Sequence, residues 1–196
     1  MKSFTQPSRL AAAVCAALAL TACGGDNDGD LFLAGDIDGL TKPGLVLENK
    51  GNGDTLEVPS GSVRFVFDKR LSNDESFNVQ VKTQPTGAVC STHFNSGRTG
   101  AFSIDSVQVR CITNSYKLGG TITGLTGSGL VIINGADKLT VPAGATSFVM
   151  PAKVADGASY GLIIFNQPEG QQCTMTGAST ARMGSADTLD AVQIAC

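Results

Sequence analysis

The chain has 196 residues, 24 of them glycine, with a formal net charge of −3, no tryptophan and one histidine. That balance excludes the basic field a nucleic-acid binder needs to attract phosphates. Only 16% of residues are charged, and abundant glycine between short alternating apolar runs points to a turn-rich all-β protein.

Residues 1–22 come first and stand apart from the fold. Lys2 and Arg9 form a positive n-region, Leu10 to Leu20 an apolar h-region, and small residues follow. This is the pattern of a secretory signal peptide, and the apolar stretch is too short to span about 30 Å of hydrocarbon. At its end, Leu20, Thr21, Ala22 and Cys23 resemble a bacterial lipobox. The resemblance implies cleavage before Cys23, a diacylglycerol on its thiol and an acylated amine. Several acyl chains, each contributing about 0.8 kcal/mol per buried methylene, would hold the mature chain on a membrane. Gly24 follows where an aspartate often means inner-membrane retention, so the resemblance implies an outer-membrane lipoprotein. In the next stretch Asp26, Asp28 and Asp30 alternate as calcium donors do, but the loop lacks a distal bidentate glutamate. Residues 23–31 are therefore expected to be the lipidated cysteine and a flexible tether.

The remainder reads twice. "GLTKPGLVLENKGNGDTLEVPSGSVRFVF" returns as "GLTGSGLVIINGADKLTVPAGATSFVM", and "SFNVQVKTQPTGAVC" returns as "SYGLIIFNQPEGQQC". Phe65 matches Phe148, Gln84-Pro85 match Gln167-Pro168, Cys90 matches Cys173 and Cys111 matches Cys196. A period of about 80 residues implies two small domains: repeat 1 over 32–112, a linker over 113–115 and repeat 2 over 116–196. Phe77, Val79 and Val81 alternate with Asn78, Gln80 and Lys82, giving a strand with one apolar face. Val107, Val109 and Cys111 share a phase, as do Val192, Ile194 and Cys196. Asn-Gly at 52–53 and 134–135 marks hairpins. Each repeat is expected to be an Ig-like or prealbumin-like β-sandwich of six or seven strands.

With Cys15 in the signal and Cys23 lipidated, two cysteines remain in each repeat. Pairing within repeats gives Cys90–Cys111 and Cys173–Cys196. Each closes a loop of about 22 residues, contributing roughly 3 kcal/mol in the chain-entropy model, and an oxidising envelope permits both. A metal site is disfavoured, because the pairs lack CxxC spacing and His93 has no counterpart in repeat 2. The pattern "GLxxxGLVL … F … QPxGxxC … VxVxC" resembles small tandem β-domains of bacterial surface lipoproteins of uncharacterised function. That resemblance implies an architecture and no activity.

Candidate chemistry is sparse. His93 could serve a Ser-His-Asp arrangement, but no GxSxG elbow is present. Asp36 and Asp38 look like a glycosidase pair, yet their counterparts are Thr121 and Thr123, as expected of an outward strand face. Lys69-Arg70 stand opposite Ala152-Lys153, which weakens a basic-patch reading. No catalytic, cofactor-binding or metal-binding residue is assigned, and no cofactor is expected. Ile163 and Phe165 occupy the wet phase of their strand, where repeat 1 has Gln80 and Lys82. Such a pair is normally covered, so both are expected to be buried, by repeat 1 or the linker, and otherwise to form an interface for a partner. The functional expectation is a non-catalytic envelope protein, structural or adhesive, that binds a protein or glycan. The alternative is a periplasmic enzyme inhibitor or a carbohydrate-binding accessory protein.

Overall fold

Alternating side chains dictate strands throughout, and no helix forms among the described residues. The computed structural model describes residues 29–196. The signal peptide, the lipobox and Cys23 lie outside the described residues. Repeat 1 contains β1 (Leu33–Asp38), β2 (Leu45–Asn49), β3 (Asp54–Val58), β4 (Arg64–Val66), β5 (Ser76–Thr83), β6 (Ala88–His93), β7 (Ser96–Arg98) and β8 (Ile104–Thr113). Two four-stranded sheets result, ordered β4-β1-β8-β6 and β3-β2-β5-β7. After β9 (Ser115–Tyr116), repeat 2 runs through β10 (Leu118–Thr123), β11 (Leu130–Asn134), β12 (Asp137–Val141), β13 (Ser147–Val149), β14 (Val154–Ala155), β15 (Ser159–Asn166), β16 (Thr174–Gly177), β17 (Thr180–Arg182) and β18 (Thr188–Ala195). Its sheets are β13-β10-β18-β16 and β12-β11-β15-β17. Each sandwich thus has eight strands in its two sheets, more than the six or seven expected. The pieces that sequence patterning misses are three-residue strands such as β4 and β7, too short to show a period.

The inner phases meet in two separate apolar cores, one around Leu47, Phe67 and Val107, the other around Ile132, Phe148 and Val192. β5 and β15 have the same burial pattern, with Phe77 and Val79 facing inward in one and Tyr160 and Leu162 in the other. The hairpin at Asn134 closes through Gly135 and Ala136, with Gly135 at φ +59°. The other is wider, with Asn49 paired to Asp54. The first and last strands of each repeat pair in parallel, β1 with β8 and β10 with β18.

The disulfides Cys90–Cys111 and Cys173–Cys196 form within their own repeats. The Gln-Pro signature has a physical role beside them. Gln84 Oε1 accepts the Cys90 N–H at 2.7 Å while its Nε2 donates to the Cys90 carbonyl at 3.0 Å. Gln167 does the same for Cys173, at 2.8 and 3.0 Å. A side-chain amide thereby stands in for a missing neighbouring strand and satisfies both backbone groups of the cysteine.

The repeats are tied through Asn114 and Asp156. Asn114 N–H donates to Gly87 O at 2.9 Å, and Asn114 O accepts the Asp156 N–H at 2.8 Å. Lys42 Nζ reaches Asp156 Oδ1 at 2.5 Å, with side-chain exposures of 20% and 14%. This contact leaves Ile163 and Phe165 uncovered, at 57% and 61% exposure, contrary to the expectation that they are buried. The reason is placement: repeat 1 meets repeat 2 at the β14–β15 turn, not across the face of β15.

Two predictions follow from these constraints. Cys90→Ser should cost repeat 1 roughly 3 kcal/mol and leave repeat 2 folded, read as a shift in one of two calorimetric transitions. The second compares two glycines with similar φ, Gly87 at +76° and Gly170 at +70°. A Cβ on Gly87 would lie 2.6 Å from the Asp156 carboxyl, whereas one on Gly170 meets nothing within 4 Å. Both alanine variants should lose about 1–2 kcal/mol to backbone strain. Only Gly87→Ala should also loosen the repeats, seen as broadened small-angle scattering profiles; equal scattering from the two variants would contradict the tie.

Candidate functional site

The outer face of the β4-β1-β8-β6 sheet is built by period two. Ile37, Val107, Val109 and Cys111 point into the core, so Asp36, Asp38, Gln108 and Arg110 point out. Register lines them up across the strands: Arg64, Asp36, Gln108 and His93 form one row, and Asp38, Arg110 and Ser91 the next. Arg64 Nη1 lies 3.6 Å from Asp36 Oδ1, and Arg110 Nε lies 3.8 Å from Asp38 Oδ2. Ser91 Oγ and His93 Nε2 are 3.4 Å apart. The side chains of both ion pairs are more than half exposed. Such pairs contribute little to stability, so an incoming polar ligand displaces them at small cost.

Of these, Asp36, Asp38, His93, Gln108 and Arg110 line an open basin of about 690 Å³ that Phe94 also borders. Phe94 has φ +51° and is 71% exposed. An aromatic residue in the left-handed region costs roughly 1–2 kcal/mol and persists only when its surroundings fix it. Asn95 does so, accepting the Val79 N–H at 2.7 Å and donating from Nδ2 to Val79 O at 2.8 Å. Repeat 2 makes the same crossing with Gly177 at φ +98° and the additional Ala178. There the corresponding outward groups are Thr121, Thr123, Gln193 and Thr176.

The structure thus brings Asp36, Asp38 and His93, weighed separately in the sequence, onto one face. Phe94 joins them; the only sequence signal for it was its contrast with Gly177. Among the described residues, no three His, Cys, Asp or Glu side chains gather as a metal site. Lys69 and Arg70 are elsewhere, Lys69 donating its backbone N–H to Asp54 and Arg70 standing 5.1 Å from the Phe32 ring centroid. Ile163 and Phe165 lie on the outer face of the other sheet in repeat 2. Ile163 pairs with Ile133, and Lys138 Nζ stands 5.4 Å from the Phe165 ring centroid.

No family model matches the chain, and no curated protein is similar to it. Among solved structures it is similar to the major pilin protein (T-13) from Streptococcus pyogenes serotype GAS131465. Identity is 13%, covering 84% of this chain and 94% of that one, at a TM-score of 0.29. A superposition that loose carries no argument; the all-β class rests on the strands themselves.

The repeats also differ in charge. Glu48 bonds Lys50 and lies 3.6 Å from Lys82; the Lys50 hydrogen bond, opposed by burial, holds its carboxyl below the ordinary value. The Asp74 carboxyl is likewise lowered by its hydrogen bond from Arg98. Repeat 2 has Ile133 and Gly157 at these places. A lowered folded pKa gives stability that is present above the unfolded pKa and lost as pH falls through the folded one. Acidification below about pH 4.5 should therefore weaken repeat 1 more than repeat 2. Hydrogen exchange resolved by repeat measures this, and equal losses would contradict it.

Proposed function

We propose that this chain is a lipid-anchored, non-catalytic protein of the bacterial cell envelope that binds a partner on the outer face of its first sandwich. The lipobox-like "LTAC" ending at Cys23 supports the address. Phe94 carries the binding role: an exposed aromatic ring is held in a strained conformation beside an open polar basin, where the second repeat uses glycine. Strain retained at an exposed residue brings no packing in return, so it points to function. The groups around it suit recognition, since carboxylates, guanidiniums, an amide and an imidazole offer both hydrogen-bond donors and acceptors.

Two measurements test this. Mass spectrometry of the mature protein should find Cys23 diacylated, and Cys23→Ser should block lipid attachment and processing; an unmodified Cys23 in the mature wild type would refute the anchoring. Cross-linking in intact envelopes should capture a partner with the wild type and lose it in Phe94→Gly, a variant expected to be about 1 kcal/mol more stable. Capture unchanged in that variant would place the binding elsewhere.

A further inference from the structure

From the charge balance and spacing of the repeat-1 face, we infer that its ligand is a neutral saccharide chain. This rests on the binding role proposed above and names the ligand class. Asp36 and Asp38 face Arg110 in the basin and Arg64 beside it on β4, so the basin carries no excess of positive charge to draw a phosphate or a sulfated polymer. A protein partner needs a dry centre depleted of charged groups, and this floor is charged across two strands. A saccharide needs neither. Its vicinal hydroxyls pair two at a time with carboxylates, guanidiniums and the Gln108 amide. Its axial C–H groups lie flat against an exposed aromatic ring, which Phe94 supplies.

Dimensions agree with that ligand. The basin, at about 690 Å³, is within the roughly 300–1,000 Å³ usual for small-molecule sites. β1 and β6 are separated by β8, so a ligand bridging Asp36 to Phe94 crosses two strand spacings of about 4.8 Å, the length of a disaccharide unit. The basin is open to solvent, so a longer chain can pass through it with its remaining hydroxyls still hydrated. Repeat 2 lacks the two carboxylates and the aromatic ring, leaving the interaction to repeat 1.

The test is calorimetric titration of the full mature lipoprotein in detergent micelles with cellohexaose, maltohexaose, chitohexaose and dextran sulfate. The expected result is saturable binding to at least one neutral hexasaccharide, changing less than twofold between 50 and 500 mM salt. Phe94→Gly and Asp36→Ala should each weaken it at least tenfold, whereas Thr121→Ala and Gln193→Ala in repeat 2 should leave it unchanged. Circular dichroism melts confirm that each variant is folded. Binding to dextran sulfate alone, no binding to any neutral hexasaccharide, or binding indifferent to Phe94→Gly would each overturn the inference. Should envelope capture depend on Phe94 while no saccharide binds, the ligand class alone is wrong; should neither depend on Phe94, the binding face itself is wrong.

Discussion

The close approach of the first strand of each repeat to the last is the constraint on which both sandwiches depend. At Gly35 a Cβ would lie 2.0 Å from Val107 O and 2.8 Å from the Phe65 ring. At Gly120 it would lie 2.5 Å from Val192 O and 2.8 Å from the Phe148 ring. Only glycine lets β1 and β10 come this near their parallel partners with a phenylalanine packed against them. The register shifts at the same point: between the pairs Leu33↔Ile104 and Gly35↔Val107, β8 carries one residue more than β1. In repeat 2 the excess in β18 is two, which with the additional Ala178 accounts for the wider spacing of Cys173 and Cys196, 23 residues against 21. The extra residue of repeat 1 sits in β8, so it is Val107 that is re-aimed inward while the alternation of β1 runs on. Leu33, Gly35 and Ile37 keep one inward phase, and Asp36 and Asp38 turn out into the basin.

The same junction is locked from the other side. Cys90 pairs directly with Cys111 across β6 and β8, and the Gln84 amide satisfies the Cys90 backbone at the sheet's edge. β6 is therefore held by a covalent bond on one flank and by a side-chain mimic of a strand on the other. His93 and Phe94 come at the end of this braced strand. That bracing, with the two Asn95–Val79 hydrogen bonds, is what can hold an aromatic residue in a left-handed conformation. Stability and the candidate face are thus one problem: the groups that fix the edge also fix the ring.

Much of this was legible in the sequence, for identifiable reasons. The alternation in Phe77–Lys82 sets the inner face of β5 because burial of every second side chain leaves no other period. Four cysteines divided equally between two repeats left intradomain pairing as the economical reading. Two things were not legible. Phe94 reads as an ordinary loop residue until its φ is known, because backbone strain leaves no mark on composition. Ile163 and Phe165 were expected to be covered because isolated apolar pairs on strands usually are. In the fold they are partly sheltered from their own side, by Ile133 alongside and the Lys138 ammonium over the ring, and repeat 1 meets the β14–β15 turn instead.

The two repeats agree at inward positions and differ at outward ones, and packing explains the division. Inner side chains interdigitate at near-crystalline density, so a change there is felt across the core. Outer side chains touch mostly water, and substitution costs little. Glu48, Gln80 and Lys82 in one repeat therefore stand where Ile133, Ile163 and Phe165 stand in the other, with no change in strand register. Asp36, Asp38 and His93 likewise replace Thr121, Thr123 and Thr176. The comparison that speaks against Asp36 and Asp38 as a catalytic pair thus also marks where the repeats diverge in surface chemistry. Asn114 bonds one repeat through its N–H and the other through its carbonyl, so the linker has little slack. Lys42 and Asp156 pair beside it, and none of these groups belongs to the polar basin or to the apolar face, so the repeats diverge in surface chemistry without disturbing the groups that join them.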